Sequence, residues 1–172
     1  LDVAMIKKHN VFVSYHHKND QWDRDKFEKI FSHMFISKSV SDGDIDADNS
    51  DDCTKALIQK DYLDDASVCV DLVGKETYKR RHVDWEISAA ISNKVGGRSG
   101  LVGICLPDHP DFKKKVYSAN ATPARLADNI KSGYARYFDW SDDPIVMKSR
   151  IEAAFQNRVS LSDKADNSRL QF

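Results

Sequence analysis

The sequence predicts a flavodoxin-like α/β domain: a doubly wound sheet of about five mainly parallel strands with helices on both faces. Three observations carry this expectation. NVFVSY at 10–15, SVCVDLV at 67–73 and LVGICL at 101–106 are short and almost continuously apolar. Such runs suit strands buried on both faces, which is the condition inside a parallel sheet. The segments between them show helical spacing of apolar residues, so strands and helices alternate.

Taken in order, residues 10–15 are rich in β-branched and aromatic side chains and open the sheet. A helix is expected over 23–36, where Phe27, Ile30, Phe31, Met34 and Phe35 recur three and four apart. SKSV at 37–40 is a weaker strand, and SDGDIDADNSDD at 41–52 reads as an acidic loop. A second helix is expected over 51–62, marked by Ala56, Leu57 and Tyr62. The strand at 67–73 ends at Gly74, a helix follows over about 82–94, and GGRSG at 96–100 is a turn. Pro107 stops the strand at 101–106, and a long connection runs from 107 to about 133. YARYF at 134–138 is the last strand. Residues 142–158 form the closing helix, marked by Ile145, Val146, Ile151, Ala154 and Phe155. The expected organisation is one domain over 1–159 and a loose polar tail over 160–172.

Composition narrows the function. Hydrophobic residues make up 41% of the 172, enough for a core. Lys plus Arg number 26 against 27 Asp plus Glu, so no charge excess points to nucleic acid or an anionic membrane. No apolar run approaches the roughly 20 residues that span a bilayer. The first ten residues are charged and have no long apolar stretch, unlike a signal peptide. Cys53, Cys69 and Cys105 are odd in number and lack ligand spacing, and the last two lie in apolar runs as buried thiols. A cytoplasmic location fits.

In doubly wound sheets, ligands bind beyond the carboxyl ends of the strands, near the switch point. That rule selects Tyr15–Asp20, the acidic loop around 41–50 and Gly74–Glu86. On a helical wheel, Val83, Ile87, Ala90 and Ile91 cluster, and Glu86 lies at their border. It would therefore face the crevice, although a border glutamate can also simply reach solvent. Lys75, Lys79, Arg80 and Arg81 precede it, either as a surface cluster or as phosphate ligands at a helix start.

Other patterns fail. Asp44, Asp46 and Asp48 imitate the start of an EF-hand loop, but Asn49 and Lys55 occupy its glycine and glutamate positions. His16 and His17 have no partner at zinc spacing, so no metal is expected, and one of them lining the crevice is the better reading. Gly96, Gly97 and Gly100 precede a strand, not a helix, so they form no dinucleotide fingerprint. Lys113–Lys115 read as a solvated face. A phospho-receiver is disfavoured because no acidic pair follows the first strand and Asp71 stands too early in the third.

NVFVSYHHKND at 10–20, SVCVDLVGKETYKRRHVDWEISAAI at 67–91, GLVGICLPDH at 100–109 and TPARLADNIKSGYARYFDW at 122–140 resemble the TIR-like domain of the B proteins of bacterial Thoeris anti-phage systems. The pattern V-G-x-x-T-x-x-x-x-x-V-x-x-E-I, from Val73 to Ile87, is the most specific part. The resemblance implies an NAD-consuming enzyme that cleaves the nicotinamide–ribose bond, with NAD+ as substrate and no separate cofactor. By position it makes Glu86 catalytic and lines the site with Ser14, Tyr15 and His16. Tyr78, Arg81, His82 and Trp85, near Glu86, are further substrate-binding candidates. His82 and Trp85 stand where many relatives have tryptophan and tyrosine, so a divergent product is expected.

The chemistry suits these residue types. Positive charge grows on the ribose while nicotinamide leaves neutral, so the site needs a fixed negative charge more than a strong acid. A glutamate supplies that charge at neutral pH unless it is deeply buried. Trp85 or Tyr15 would stack on a base, and Lys79, Arg80 or Arg81 would hold the pyrophosphate. Water, an internal nucleophile or an outside acceptor would give ADP-ribose, a cyclic isomer or a conjugate. The resemblance favours the last two as a diffusible signal. The implied partners are NAD+, a downstream effector protein reached through that signal and a phage-derived trigger, with homo-oligomerisation left open. The alternative is a non-enzymatic TIR-like interaction module.

Overall fold

The computed structural model describes residues 8–41, 43–115 and 117–172. The charged segment 1–7, Asp42 of the acidic loop and Val116 of the long connection lie outside the described residues.

Five strands form one sheet: β1 (Asn10–Ser14), β2 (Ile36–Lys38), β3 (Val68–Val73), β4 (Gly100–Cys105) and β5 (Arg136–Asp139). Every pairing is parallel and the spatial order is β2-β1-β3-β4-β5. The crossover helices are α1 (Gln21–Phe31), α2 (Asp51–Leu57), α3 (Arg81–Ile91) and α4 (Ala124–Ser132), and α5 (Pro144–Ser160) follows the last strand. This is the expected doubly wound α/β fold, with its switch point between β1 and β3.

Alternation along the strands gives the sheet two chemically different faces. Val11, Val13, Val68, Val70, Leu72, Val102 and Ile104 point to one side and pack with Phe27 and Phe31 of α1 and Met147 and Ile151 of α5. Phe12, Cys69, Val73 and Leu101 point to the other and meet Val83, Ile87 and Ile91 of α3 and Leu126 of α4. Cys69 and Cys105 are buried and Cys53 is exposed.

Four local expectations need correction. First, α1 ends at Phe31 although the apolar spacing continues. Phe35 is still buried, but a turn closed by Met34 N–H to Phe31 O delivers it, not helix. Second, the helix over 51–62 divides. Ser50 caps α2 by accepting from the Cys53 amide at 3.2 Å, and α2 itself buries nothing. A π-helical turn over Ile58–Leu63 then takes over. Ile58 and Leu63, five apart and both buried, are the real apolar marks, because a π turn aligns positions five apart.

Third, the long connection contains α4. Its buried face includes Arg125 and Asn129 as well as Leu126, so its apolar pattern is weak. Fourth, the tail is anchored. Asp166 N–H donates to Asn129 Oδ1 at 2.8 Å, the Asn167 amide donates to Ser88 O at 3.1 Å, and Arg169 grips Asp128 through two bonds of 2.8 and 2.9 Å. Its partners are polar groups on helices, which hydrophobic periodicity does not register.

Candidate functional site

The loop after β3 is built around one glycine. A Cβ at Gly74 would lie 2.3 Å from Asp20 Oδ2, so the missing side chain leaves room for the buried Asp20 carboxyl. Thr77 Oγ1 accepts from the Gly74 amide at 2.8 Å and reaches Asp20 Oδ2 at 3.5 Å. These contacts explain the G-x-x-T spacing physically.

α3 buries all but its first two residues. Glu86 is 1% exposed, and Ser14, the last residue of β1, donates to its Oε1 at 2.9 Å. Burial pushes the Glu86 carboxyl well above the usual range; the Ser14 bond opposes this and the nearby Asp71 adds to it. The glutamate is thus in the deeply buried condition in which ionisation at neutral pH is not automatic.

The residues beside Glu86 on α3 are held from two sides. Arg125 is fully buried and pairs with Asp84 at 2.9 and 3.3 Å. Trp85 Nε1–H donates to the Phe172 carbonyl at 3.0 Å, and the Phe172 amide donates to Asp84 Oδ2 at 2.8 Å. The Trp85 ring carries Lys55 Nζ 5.1 Å and the Arg81 guanidinium 5.4 Å from its centre. The buried Asp84–Arg125 pair left no signal in the sequence beyond the residue types themselves.

Glu86 forms part of the wall of a cleft of about 340 Å³ beyond the carboxyl ends of β1 and β3. Arg80, Arg81, His82 and Trp85 share that lining, together with His17 and residues of the acidic loop. All three segments selected by the switch-point rule therefore contribute. His82 donates through Nε2 to the Tyr15 carbonyl at 3.2 Å, and its ring lies 4.2 Å from that of His17. Burial, then the charge of His17, lowers the His82 pKa to about 3, so it is neutral.

Three expected lining residues stand elsewhere. Tyr15 is fully buried, its hydroxyl bonded to Gln21 Oε1 at 2.8 Å, so its ring presents no face for stacking. His16 accepts the Asn19 amide at Nδ1 and shapes the loop; the histidine in the cleft wall is His17, because neighbouring side chains diverge. Tyr78 lines a different cleft with Tyr117 and Asp128. Lys79 pairs with Glu76 at 3.6 Å, leaving Arg80 and Arg81 as the lining cations from that run. Ser14 reaches the site through Glu86.

Asp46 and Asp51 reach the cleft, but no cluster of three or more His, Cys, Asp or Glu side chains suited to a metal occurs among the described residues. Nor is any helix among them long and apolar enough to cross a membrane. The arrangement combines a sequestered carboxyl, an indole face and two arginines in one opening. It is suited to an organic molecule that carries both a cationic ring and phosphate.

No match was found among curated proteins. Among solved structures, the TIR domains of the activated Roq1 resistosome directly recognising the pathogen effector XopQ align with TM-score 0.42 and 12% identity, over 94% of this chain and 93% of that one. The family model described as "Thoeris protein ThsB, TIR-like domain" matches residues 12–111. That span runs from β1 through Glu86 and past β4, so the chain belongs to the TIR-like domain family of the Thoeris protein ThsB.

Proposed function

We propose that this domain consumes NAD+ by cleaving its nicotinamide–ribose bond, with Glu86 as the catalytic residue. The observation that carries the reading is the buried Glu86 carboxyl in the switch-point cleft, fixed by Ser14 and flanked by Trp85 and Arg81. NAD+ enters as substrate, and no separate cofactor is required.

The raised pKa of Glu86 is compatible with this role. A unit positive charge about 4 Å away is worth about 4 kcal/mol at an effective dielectric of 20. That corresponds to roughly three pKa units in favour of the carboxylate. The pyridinium ring of NAD+ would thus supply the charge that ionises Glu86 when substrate binds. As the glycosidic C–N bond breaks, its electron pair neutralises the pyridinium nitrogen, and positive charge passes to the ribose beside the carboxylate. Trp85 offers a stacking face, and Arg80 and Arg81 offer donors to the pyrophosphate. The ADP-ribosyl cation is then captured by an internal nucleophile or by an outside acceptor, either of which gives up its proton, giving a cyclic isomer or a conjugate. That product is the diffusible signal for an effector protein in cytoplasmic anti-phage defence, made once phage infection supplies a trigger.

The test is mass spectrometry of small molecules from phage-infected cells carrying wild-type protein or Glu86→Gln. The expected result is NAD+ loss and a new ADP-ribose derivative with wild type alone. Equal NAD+ levels in the two would overturn the enzymatic reading and leave a TIR-like interaction module.

A further inference from the structure

Residues Ser14, Asp71, Gly103 and Tyr137 are Cα partners across four adjacent strands and form one row on the sheet. The row lies on the α3 side. Its members are unequal. Ser14 gives its hydroxyl proton to Glu86, and Gly103 has no side chain to offer. A Cβ at Gly103 would meet Tyr137 Cδ2 at 2.6 Å and Leu126 Cδ2 at 2.8 Å, so the tyrosine ring and a leucine occupy that space. The Tyr137 hydroxyl is itself buried, with the Cys105 thiol beside it but no well-formed hydrogen bond among the described residues.

Asp71 therefore stands between a hydroxyl committed elsewhere and a glycine. It is fully buried in the middle of β3, and neither carboxyl oxygen has a hydrogen-bond partner among the described residues. A buried carboxyl without a donor opposes folding, so its place beside the Glu86 site calls for a reason. Burial, reinforced by Asp20, raises its pKa to about 8. Among the described residues, the ionisable groups in electrostatic reach of Asp71 or Glu86 include Asp20 before α1, Tyr15 after β1, Cys69 on β3 itself and Tyr137 on β5.

We propose that Asp71 is the positioning residue that governs the charge on Glu86: the two carboxyls flank Ser14 in a dry compartment that tolerates one negative charge at a time. Whichever carboxyl ionises first holds the proton on the other; a cation entering the cleft meets Glu86 and not the closed-off Asp71, so Glu86 releases its proton to the solvent of the cleft while Asp71 keeps its own. Glu86 is thereby an anion only when the cleft is filled. This extends the NAD-cleavage reading by naming what controls its carboxylate, but the control itself does not depend on which cation is bound.

The experiment is a carbon-13 NMR titration of the Glu86 side-chain carboxyl in protein labelled at glutamate, assigned by Glu86→Gln. Asp71→Asn removes the second charge and keeps the shape. The Glu86 midpoint is expected to fall by about one pH unit or more, the coupling that marks two interacting acids. Asp71→Val, which suits the buried strand and is the second variant if the amide fails to fold, is expected to do the same. Midpoints within about 0.3 units of wild type, or Glu86 held in one state throughout in both proteins, would overturn the proposal. A purely structural Asp71 would change stability without moving the Glu86 midpoint. The titration needs no NAD+, so a lowered midpoint together with no NAD+ consumption in phage-infected cells would sink the enzymatic reading alone.

Discussion

The two faces of the sheet are built to different rules. The face toward α1 and α5 is lined by Val, Leu and Ile from β1, β3 and β4 and includes no charged side chain from those strands. The face toward α3 starts equally apolar at Phe12, Cys69 and Leu101 and then, at its carboxyl end, carries Ser14 and Asp71 beneath Glu86. Burying aliphatic groups stabilises the fold at roughly 25 cal/mol per Å². Burying Asp71 with no donor among the described residues works against it. The difference teaches that both faces bury an apolar core, and that only the α3 face also buries Ser14, Asp71 and Glu86 among it.

Four experiments would break or sharpen that comparison. The largest effect is expected from Arg125→Ala, which strands Asp84 as an unpaired buried charge beside the site; chemical denaturation should show a loss of about 3–5 kcal/mol. On the apolar face, Leu72→Ala should cost about 2–5 kcal/mol through lost transfer energy and a cavity. NAD+ consumption per folded molecule should survive that change, and a selective loss of activity would break the comparison.

The third is a pH series of denaturation curves. Asp71 and Asp20 have folded pKa values raised to about 8 and about 7, while their unfolded values lie near 4. Between those limits the folded state binds more protons than the unfolded one. Their contribution therefore falls as pH rises through about 4 to 8, and it is constant outside that window. Asp71→Asn should flatten the curve and raise stability at pH 8, by on the order of 1–3 kcal/mol. A wild-type curve with no slope across the window would contradict the unequal faces directly. The smallest stability change is expected from Arg81→Ala. Both members of the Arg81–Asp51 pair are more than half exposed, so thermal melting should register under about 0.5 kcal/mol. If the cleft binds phosphate, that same variant should need more NAD+ for half-maximal consumption.

Much of this architecture was legible from residue order. Continuous apolar runs do not alternate, so they demanded a parallel sheet, and the helical spacing between them demanded crossovers. Glu86 could be singled out because one turn of helix separates it from both Val83 and Ala90, at the edge of the apolar stripe. The misses share a cause. α4 hides its face behind Arg125 and Asn129, whose burial depends on Asp84 and Asp166, distant in sequence. The anchored tail depends on the same kind of polar, long-range partner. His17 rather than His16 lines the cleft because the turn after β1 rotates one outward and the other into the loop, a choice that adjacent identical residues cannot disclose.

Residue order alone thus determined the sheet, its parallel sense and the three segments that meet at its rim, because periodic burial is a local property of the chain. Only the tertiary structure decided that Glu86 is sealed against Ser14 and that Asp71 has no donor among the described residues. Those facts depend on what neighbouring strands place beside each carboxyl. Here the neighbours are a serine already committed and a glycine with nothing to give.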